Sequence, residues 1–325
     1  MTAQASRLPA LQIRRLSYAL GAKVRGVDLT RHLDDATVAA IRAAWLEHLL
    51  LCFPGQNLTN AQLLAFAERF GELEAIRPDE IVRRDAEGGS PSIDILSNRP
   101  LNGQPWDGFK NGDTWHTDKS FTLYPTSATI IACKEIPEVG GDTMFANAYL
   151  AYETLSPTFQ GIIDGLWAIH EVPARRESGN TATAHPLVRV HPETGRKALY
   201  LGASGYRLHE IVGLTLNESR PLLDFLSAHA TTIEFTYRHR WSVDDVVMWD
   251  NRALQHVALC DYDLRNDHRH LIRTAVKGER SGYHVTGPEG AKRPVDGIPR
   301  FTPALLERLA SAAARNVSAG AGSNA

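Results

Sequence analysis

Cysteine is scarce: the 325 residues hold three, Cys52, Cys133 and Cys260, far apart and in no C-x-x-C spacing. An odd, scattered set disfavours a disulfide framework and a structural zinc site, and fits a reducing compartment. An excess of one charge is lacking too, with 35 Lys+Arg against 37 Asp+Glu and a formal net charge of -2. A general nucleic-acid binder needs a basic face that displaces counterions, so nucleic acid is not an expected partner. No apolar run approaches the roughly 18 residues that span a bilayer. The first ten residues, M-T-A-Q-A-S-R-L-P-A, have no apolar stretch of the signal-peptide kind. No internal repeat is visible. The expectation is a soluble cytoplasmic protein with no membrane partner. A domain of this length buries roughly 75% of its unfolded surface, enough for a large core without staples.

Helical spacing is concentrated in the first third. Val38, Ile41, Trp45 and Leu49 recur on one face. Thr59 and Gln62 form a capping-box pattern, with Leu63, Phe66, Ala67 and Phe70 following until Gly71 stops the helix. Ser156-Pro157 is a cap followed by proline at the first helical position. A further helix is expected over Asn217 to His229, with Pro221 obscuring its start. Segments 126–134, 197–201, 232–238, 243–249 and 270–277 are rich in β-branched and aromatic residues and read as short strands. Few strands alternate with helices, so a mainly β fold with flanking helices, a sandwich or barrel with a helical layer, is expected. Segment 96–113 reads as a long non-β loop. Three segments follow: a catalytic domain over 8–282, an extended Gly/Pro-rich arm over 283–310 that could lie on a neighbouring subunit, and a disordered tail over 311–325.

The chemistry centres on Trp115-His116-Thr117-Asp118. In an extended segment, residues two apart share a side, so His116 and Asp118 present an imidazole and a carboxylate together. His256, just after the strand ending in Trp249, is a natural third donor. Two imidazoles and one carboxylate leave three adjacent positions open on a metal, an arrangement suited to non-haem Fe(II) handling O2. The same ligands could hold zinc for hydrolysis. Arg269 and Arg273 follow His256 by 13 and 17 residues in a strand-like segment. A guanidinium matches a planar carboxylate with two parallel hydrogen bonds. A 2-oxo dicarboxylate could then chelate iron at one end and pair with Arg269 at the other, which a hydrolytic zinc site does not need.

W-H-T-D at 115–118, G-G-D-T at 140–143, H-P-L-V at 185–188 with H-P-E-T-G at 191–195, W-D-N-R at 249–252 and the His256, Arg269, Arg273 spacing resemble the taurine dioxygenase (TauD/TfdA) family of Fe(II)/2-oxoglutarate-dependent oxygenases. F-P-G-Q at 53–56 and R-F-G-E at 69–72 extend the likeness, which runs from about Leu16 to Val276. The resemblance implies a double-stranded β-helix (jelly-roll) core and a homodimer or homotetramer. It implies Fe(2+) on His116, Asp118 and His256, and 2-oxoglutarate on Arg269 and the Thr143 hydroxyl. It sets Arg273 against the anionic group of a small organic substrate, Tyr206 as an aromatic wall, and Asn111 and Lys119 on the pocket border. The expected reaction is hydroxylation of a small anion with decarboxylation of 2-oxoglutarate to succinate and CO2. Alternatives are a zinc-dependent hydrolase, or a non-catalytic binding protein on the same barrel. The taurine-specific pattern has a histidine and a tyrosine in the loop after R-F-G-E, where this chain has Glu74-Ala75-Ile76-Arg77-Pro78-Asp79-Glu80. It has an asparagine at the place of Gly112. Both departures point away from taurine and, with Tyr206, leave room for longer alkyl sulfonates, sulfate esters, aryloxy acids or an amino-acid derivative. His185 and His191, each before a proline, read as structural residues in turns.

Overall fold

The computed structural model describes residues 11–75, 90–100, 112–171, 182–202 and 208–285. Helix α1 (Asp35–His48) starts where the Asp34 side chain accepts the Thr37 N–H. It ends at Leu49, which takes the left-handed conformation (φ 64°) as the cap rather than as a fourth turn of the apolar face. Helix α2 (Asn60–Ala67) has the expected capping box: Gln62 N donates to the Thr59 hydroxyl, and Thr59 N donates to the Gln62 side chain. It stops four residues before Gly71, although Phe70 still packs edge-to-face on Phe66 and Trp45. Helices α3 (Ala148–Glu153), α4 (Pro157–Ile163) and α5 (Leu216–Ala230) follow. The short α3 carries no periodic signature, and α5 runs through Pro221.

A large sheet takes β1 (Gln12–Arg15), β2 (Ala22–Arg25), β3 (Leu50–Phe53), β4 (Asp94–Ser97), β5 (Thr126–Glu135), β13 (Val246–Asp250) and β15 (His270–Lys277), in the order β1-β2-β3-β13-β5-β15-β4. Its pairs are antiparallel except β2–β3. A second sheet holds β6 (Thr143–Asn147), β12 (Thr236–His239) and β14 (Leu254–Ala258), with β6 in the centre. A third takes β7 (Trp167–His170), β8 (Thr183–Pro186), β11 (Leu208–Ile211) and β16 (Tyr283–His284), in the order β11-β7-β8-β16. β9 (Val188–Val190) and β10 (Lys197–Leu199) form a hairpin. The architecture is the mainly β jelly roll with flanking helices.

Four expectations are corrected. The 232–238 segment opens as a 3-10 helix (Ile233–Phe235), so the strand begins only at Thr236. Val243 lies in the turn before β13, not in the strand. Leu96 and Ser97, assigned to the long loop, belong to β4. His185 sits inside β8 and is fully buried, not in a turn. The arm's first residues, Tyr283 and His284, pair with the chain's own β8. Residues 286–325 fall outside the described ones.

Strand alternation sorts the large sheet's two faces. Leu51, Phe53, Ile130, Met248 and Ile272 pack under α1 and α2 against Ile41, Trp45, Leu63 and Phe66. Their neighbours Leu50, Cys52, Ile131, Val247, Trp249 and Leu271 meet Phe145 and Leu254 of the second sheet. Side chains two apart share a face, so Thr129 and Arg273 are also directed inward, between the sheets. With both faces covered, these strands read as near-continuous apolar runs rather than alternating ones. No helix among the described residues is long and apolar enough to cross a membrane.

Candidate metal centre and its pocket

His116 and His256 face one another as a hydrogen-bonded antiparallel pair, each backbone N–H donating to the other's carbonyl (2.9 and 2.8 Å). This pairing brings their rings to 4.1 Å between centroids. Asp118 arrives from the turn that follows, not from a continued strand as the sequence suggested. Its Oδ1 stands 3.7 Å from His116 Nε2 and 3.8 Å from His256 Nε2. The three donor atoms lie within 4.8 Å of one another.

Hydrogen bonds from the surroundings orient His116 and Asp118. His116 Nδ1 is 2.7 Å from the Thr114 carbonyl, which can only accept. That nitrogen therefore carries the proton, and Nε2 offers its lone pair inward. Asp118 Oδ2 accepts from the Thr129 hydroxyl (2.6 Å) and from Arg273 Nη2 (3.1 Å), leaving Oδ1 to the histidines. Asn251 steadies this pair: Nδ2 donates to Thr129 (2.8 Å), while Oδ1 accepts from Trp249 Nε1 (3.1 Å). Burial alone would raise the Asp118 pKa, but Arg273, His256 and His116 hold it well below the usual carboxylate range. Burial, then the neighbouring His116, lowers the His256 pKa. Both groups thus stand in the deprotonated forms that bind metal. A two-imidazole, one-carboxylate set with these atoms converging fits an Fe(II) centre.

Arg269 precedes β15. Its Nε donates to the Gly141 carbonyl (2.8 Å) and its Nη2 to Thr143 Oγ1 (3.2 Å). Trp241 Nε1 donates to the same hydroxyl (3.0 Å). With both lone pairs engaged, the Thr143 hydroxyl has only its proton to offer a ligand. No carboxylate lies within salt-bridge distance of Arg269 among the described residues, and desolvation pulls its pKa down. A desolvated guanidinium without an anion costs free energy, and a ligand carboxylate would relieve it. Asn98 holds the approach to β15: its Oδ1 accepts from Arg269 N, and its Nδ2 donates to the carbonyls of Leu264 and Asp267.

Arg273 is engaged on two sides. Besides Asp118 it pairs with Asp94 (3.3 Å), its register partner across β15–β4. Lys119, in a left-handed conformation (φ 50°), pairs with Glu74 (2.8 Å), whose other oxygen accepts from Thr126. The loop that departs from the taurine pattern thus supplies the acid that pairs with Lys119. Asn111 and Tyr206 lie outside the described residues. His191 is structural as expected: Nδ1 accepts from the Glu193 and Thr194 N–H groups, so Nε2 donates to Asp250 (3.0 Å), which Arg252 grips with two nitrogens. Thr129, Asn251, Asp94, Asn98 and Trp241 were not singled out from sequence. Only Asn251, inside W-D-N-R, carried a signal.

A model of the family described as "Taurine catabolism dioxygenase TauD, TfdA family" matches residues 12–275. The chain is 35% identical over 269 residues to an (S)-phenoxypropionate/alpha-ketoglutarate-dioxygenase of Delftia acidovorans, covering 76% of this chain and 89% of that one. It is 34% identical to an alpha-ketoglutarate-dependent sulfate ester dioxygenase of Pseudomonas putida, covering 83% and 90%. A crystal structure of a taurine dioxygenase from Burkholderia xenovorans superposes with a TM-score of 0.74 at 38% identity, covering 87% of this chain and 97% of that one. The chain belongs to the TauD/TfdA family.

Proposed function

We propose that this protein, a 2-oxoglutarate-dependent dioxygenase by family, hydroxylates a small organic anion at an Fe(II) centre held by His116, Asp118 and His256. The carrying observations are the convergence of those three donors and Arg269, a desolvated cation with no carboxylate within salt-bridge distance among the described residues. Fe(II) with bound 2-oxoglutarate supplies the reductive use of O2 that couples decarboxylation to succinate with hydroxylation of a substrate C–H bond. The chain's own residues bind and orient. His116 and His256 present neutral nitrogens, and Thr129 and Arg273 fix the Asp118 carboxylate so that one oxygen faces the metal. The Arg269 fork receives the far carboxylate of 2-oxoglutarate, and Thr143 donates its remaining proton to it. Arg273 and Lys119, with Asn111 and Tyr206, border the prime substrate, whose C–H bond must be held close to the metal.

The substrate class is an alkyl sulfonate, sulfate ester, aryloxy acid or related anion. Two relatives are named for phenoxypropionate and sulfate esters, and the loop at Glu74 departs from the taurine pattern. A hydrolytic zinc centre has no use for Arg269, and a non-catalytic barrel has no use for an intact triad. Anaerobic Fe(II) and 2-oxoglutarate added to the protein should give a weak visible charge-transfer band. A panel of these anions should release succinate faster than taurine does. Absence of the band with both ligands bound overturns the reading. We also infer a homodimer or homotetramer, which the resemblance implies, and a cytoplasmic location, supported by the small, odd and scattered set of cysteines. The domain reading of 8–282, 283–310 and 311–325 encloses the family span. Sedimentation and limited proteolysis test these.

A further inference from the structure

We propose that Cys52, His239 and Asp245 form a second metal site, which takes a zinc-class cation and clasps the two sheets of the jelly roll together. None of the three belongs to the His116 centre, and the proposal does not depend on the reaction proposed there. Cys52 lies on β3 in the large sheet, Asp245 in the turn before β13, and His239 at the end of β12 in the second sheet. Their donor atoms lie within 4.8 Å of one another, and all three residues are buried. His239 Nε2 is 3.7 Å from Asp245 Oδ2. Donors in a tetrahedral zinc centre, bonded at about 2.0–2.3 Å, stand about 3.5 Å apart.

The independent sign is an unpartnered nitrogen. His239 is 3% exposed, yet its Nε2 has no hydrogen-bond partner among the described residues. A buried polar atom left so costs free energy, and native structures rarely tolerate one without a reason. The ring is aimed from behind: Nδ1 is 3.2 Å from the Tyr237 hydroxyl, and Trp241 lies edge-on at 4.7 Å. A proton on Nδ1, shared with Tyr237, turns the Nε2 lone pair to the cluster, as an outer partner does for a ligating histidine. Asp245 is aimed by its turn. Asp244 takes the left-handed conformation (φ 66°), and Ser242 N donates to Asp245 Oδ2 (2.9 Å). Cys52 points inward because Leu51 and Phe53 face the helices.

Without a cation, burial drives all three toward neutrality: the Cys52 thiol up to about 12, His239 down to about 4, and the Asp245 carboxyl upward. Coordination reverses this for sulfur, whose proton leaves to solvent as the metal–sulfur bond forms. Lys23, the register partner of Cys52 on β2, adds positive charge beside the cluster. Both the thiolate and the carboxylate are therefore needed to receive a dication. Sulfur disfavours Mg2+ and Ca2+, and the mixed S, N, O set suits Zn2+, with Co2+ as its spectroscopic surrogate.

The test is a Co2+ titration of the full chain freed of metal. The wild type should bind two equivalents, one of them with an intense near-ultraviolet thiolate-to-cobalt band that Zn2+ abolishes. His116→Ala should bind one equivalent and keep the band. Cys52→Ser should bind one and lose it, as should Asp245→Asn, and Cys260→Ser should keep both. No thiolate band in the wild type at saturating Co2+ overturns the proposal, as does a band that survives in Cys52→Ser. The wild-type result decides the matter even where a variant does not fold.

Discussion

The two oxygens of Asp118 have different neighbours, and this asymmetry organises the centre. Oδ1 faces two imidazoles; Oδ2 is tied to Thr129 and Arg273. Thr129→Val keeps the shape but removes the hydrogen bond that turns the carboxylate. Losing an outer partner of a metal ligand costs about 10- to 100-fold in metal affinity, so anaerobic Fe(II) titration should show a loss of that size. An unchanged affinity would mean that Arg273 alone orients Asp118. Arg269→Ala removes charged hydrogen bonds worth roughly 1.5–3 kcal/mol each, and should raise the 2-oxoglutarate Kd about 10- to 100-fold. Arg269→Lys should restore only part, since an ammonium cannot span Gly141 and Thr143 while pairing with a carboxylate through a planar fork. Isothermal titration separates these outcomes, and equal binding by all three proteins would remove Arg269 from the site.

Turns and caps decide where those side chains stand. In Gly140-Gly141 both residues have positive φ (86° and 72°), and a Cβ on Gly140 would sit 2.4 Å from the Asp261 carbonyl. The Gly141 carbonyl holds Arg269 through Nε. Gly140→Ala should therefore displace the Arg269 anchor as well as strain the turn. Its expected signature is a rise in the KM for 2-oxoglutarate larger than the rise for Fe(II). Equal rises would mean a general loss of structure. The α2 capping box gives a contrasting case, since it lies in the helical layer. Thr59→Ala should cost about 1 kcal/mol in urea denaturation and leave 2-oxoglutarate binding unchanged.

At the scale of the whole molecule, stability should depend on pH through buried histidines. His185 lies in β8 with Nε2 against the Thr122 carbonyl and Nδ1 against Ser281, and its pKa is lowered from 6.5 to about 4, by burial first and Arg189 next. Between those values the unfolded chain binds a proton that the folded chain refuses, so stability rises with pH across that window and is lost as pH falls from 6.5 to 4. Thermal unfolding should show this slope, and His185→Gln should flatten it. A slope unchanged by that substitution would assign it to other groups. The three cores share this dependence on burial: helices on one face of the large sheet, the second sheet on the other, and α3–α5 on Leu199 and Leu201.

Much of this was legible in the residue order. The cap of α2, the proline start of α4, the strands at 126–134 and 270–277 and the ordered motifs declare themselves through spacing, because local hydrogen bonds and side-chain periods are written along the chain. Other features were not. Asp94 becomes the partner of Arg273 only when β4 pairs with β15, and Thr129 reaches Asp118 only because alternation on β5 turns it inward. The β4 and β6 strands were missed because they are short, and the start of β12 was misjudged because a β-rich composition also suits a 3-10 turn. Sequence alone singled out His116, Asp118 and His256 as candidate donors and Arg269 as the candidate partner of a carboxylate. Tertiary contacts decided what holds those groups in place, and those of Arg273 with Asp94 and of Arg269 with Thr143 join residues more than a hundred positions apart, where no local period can record them.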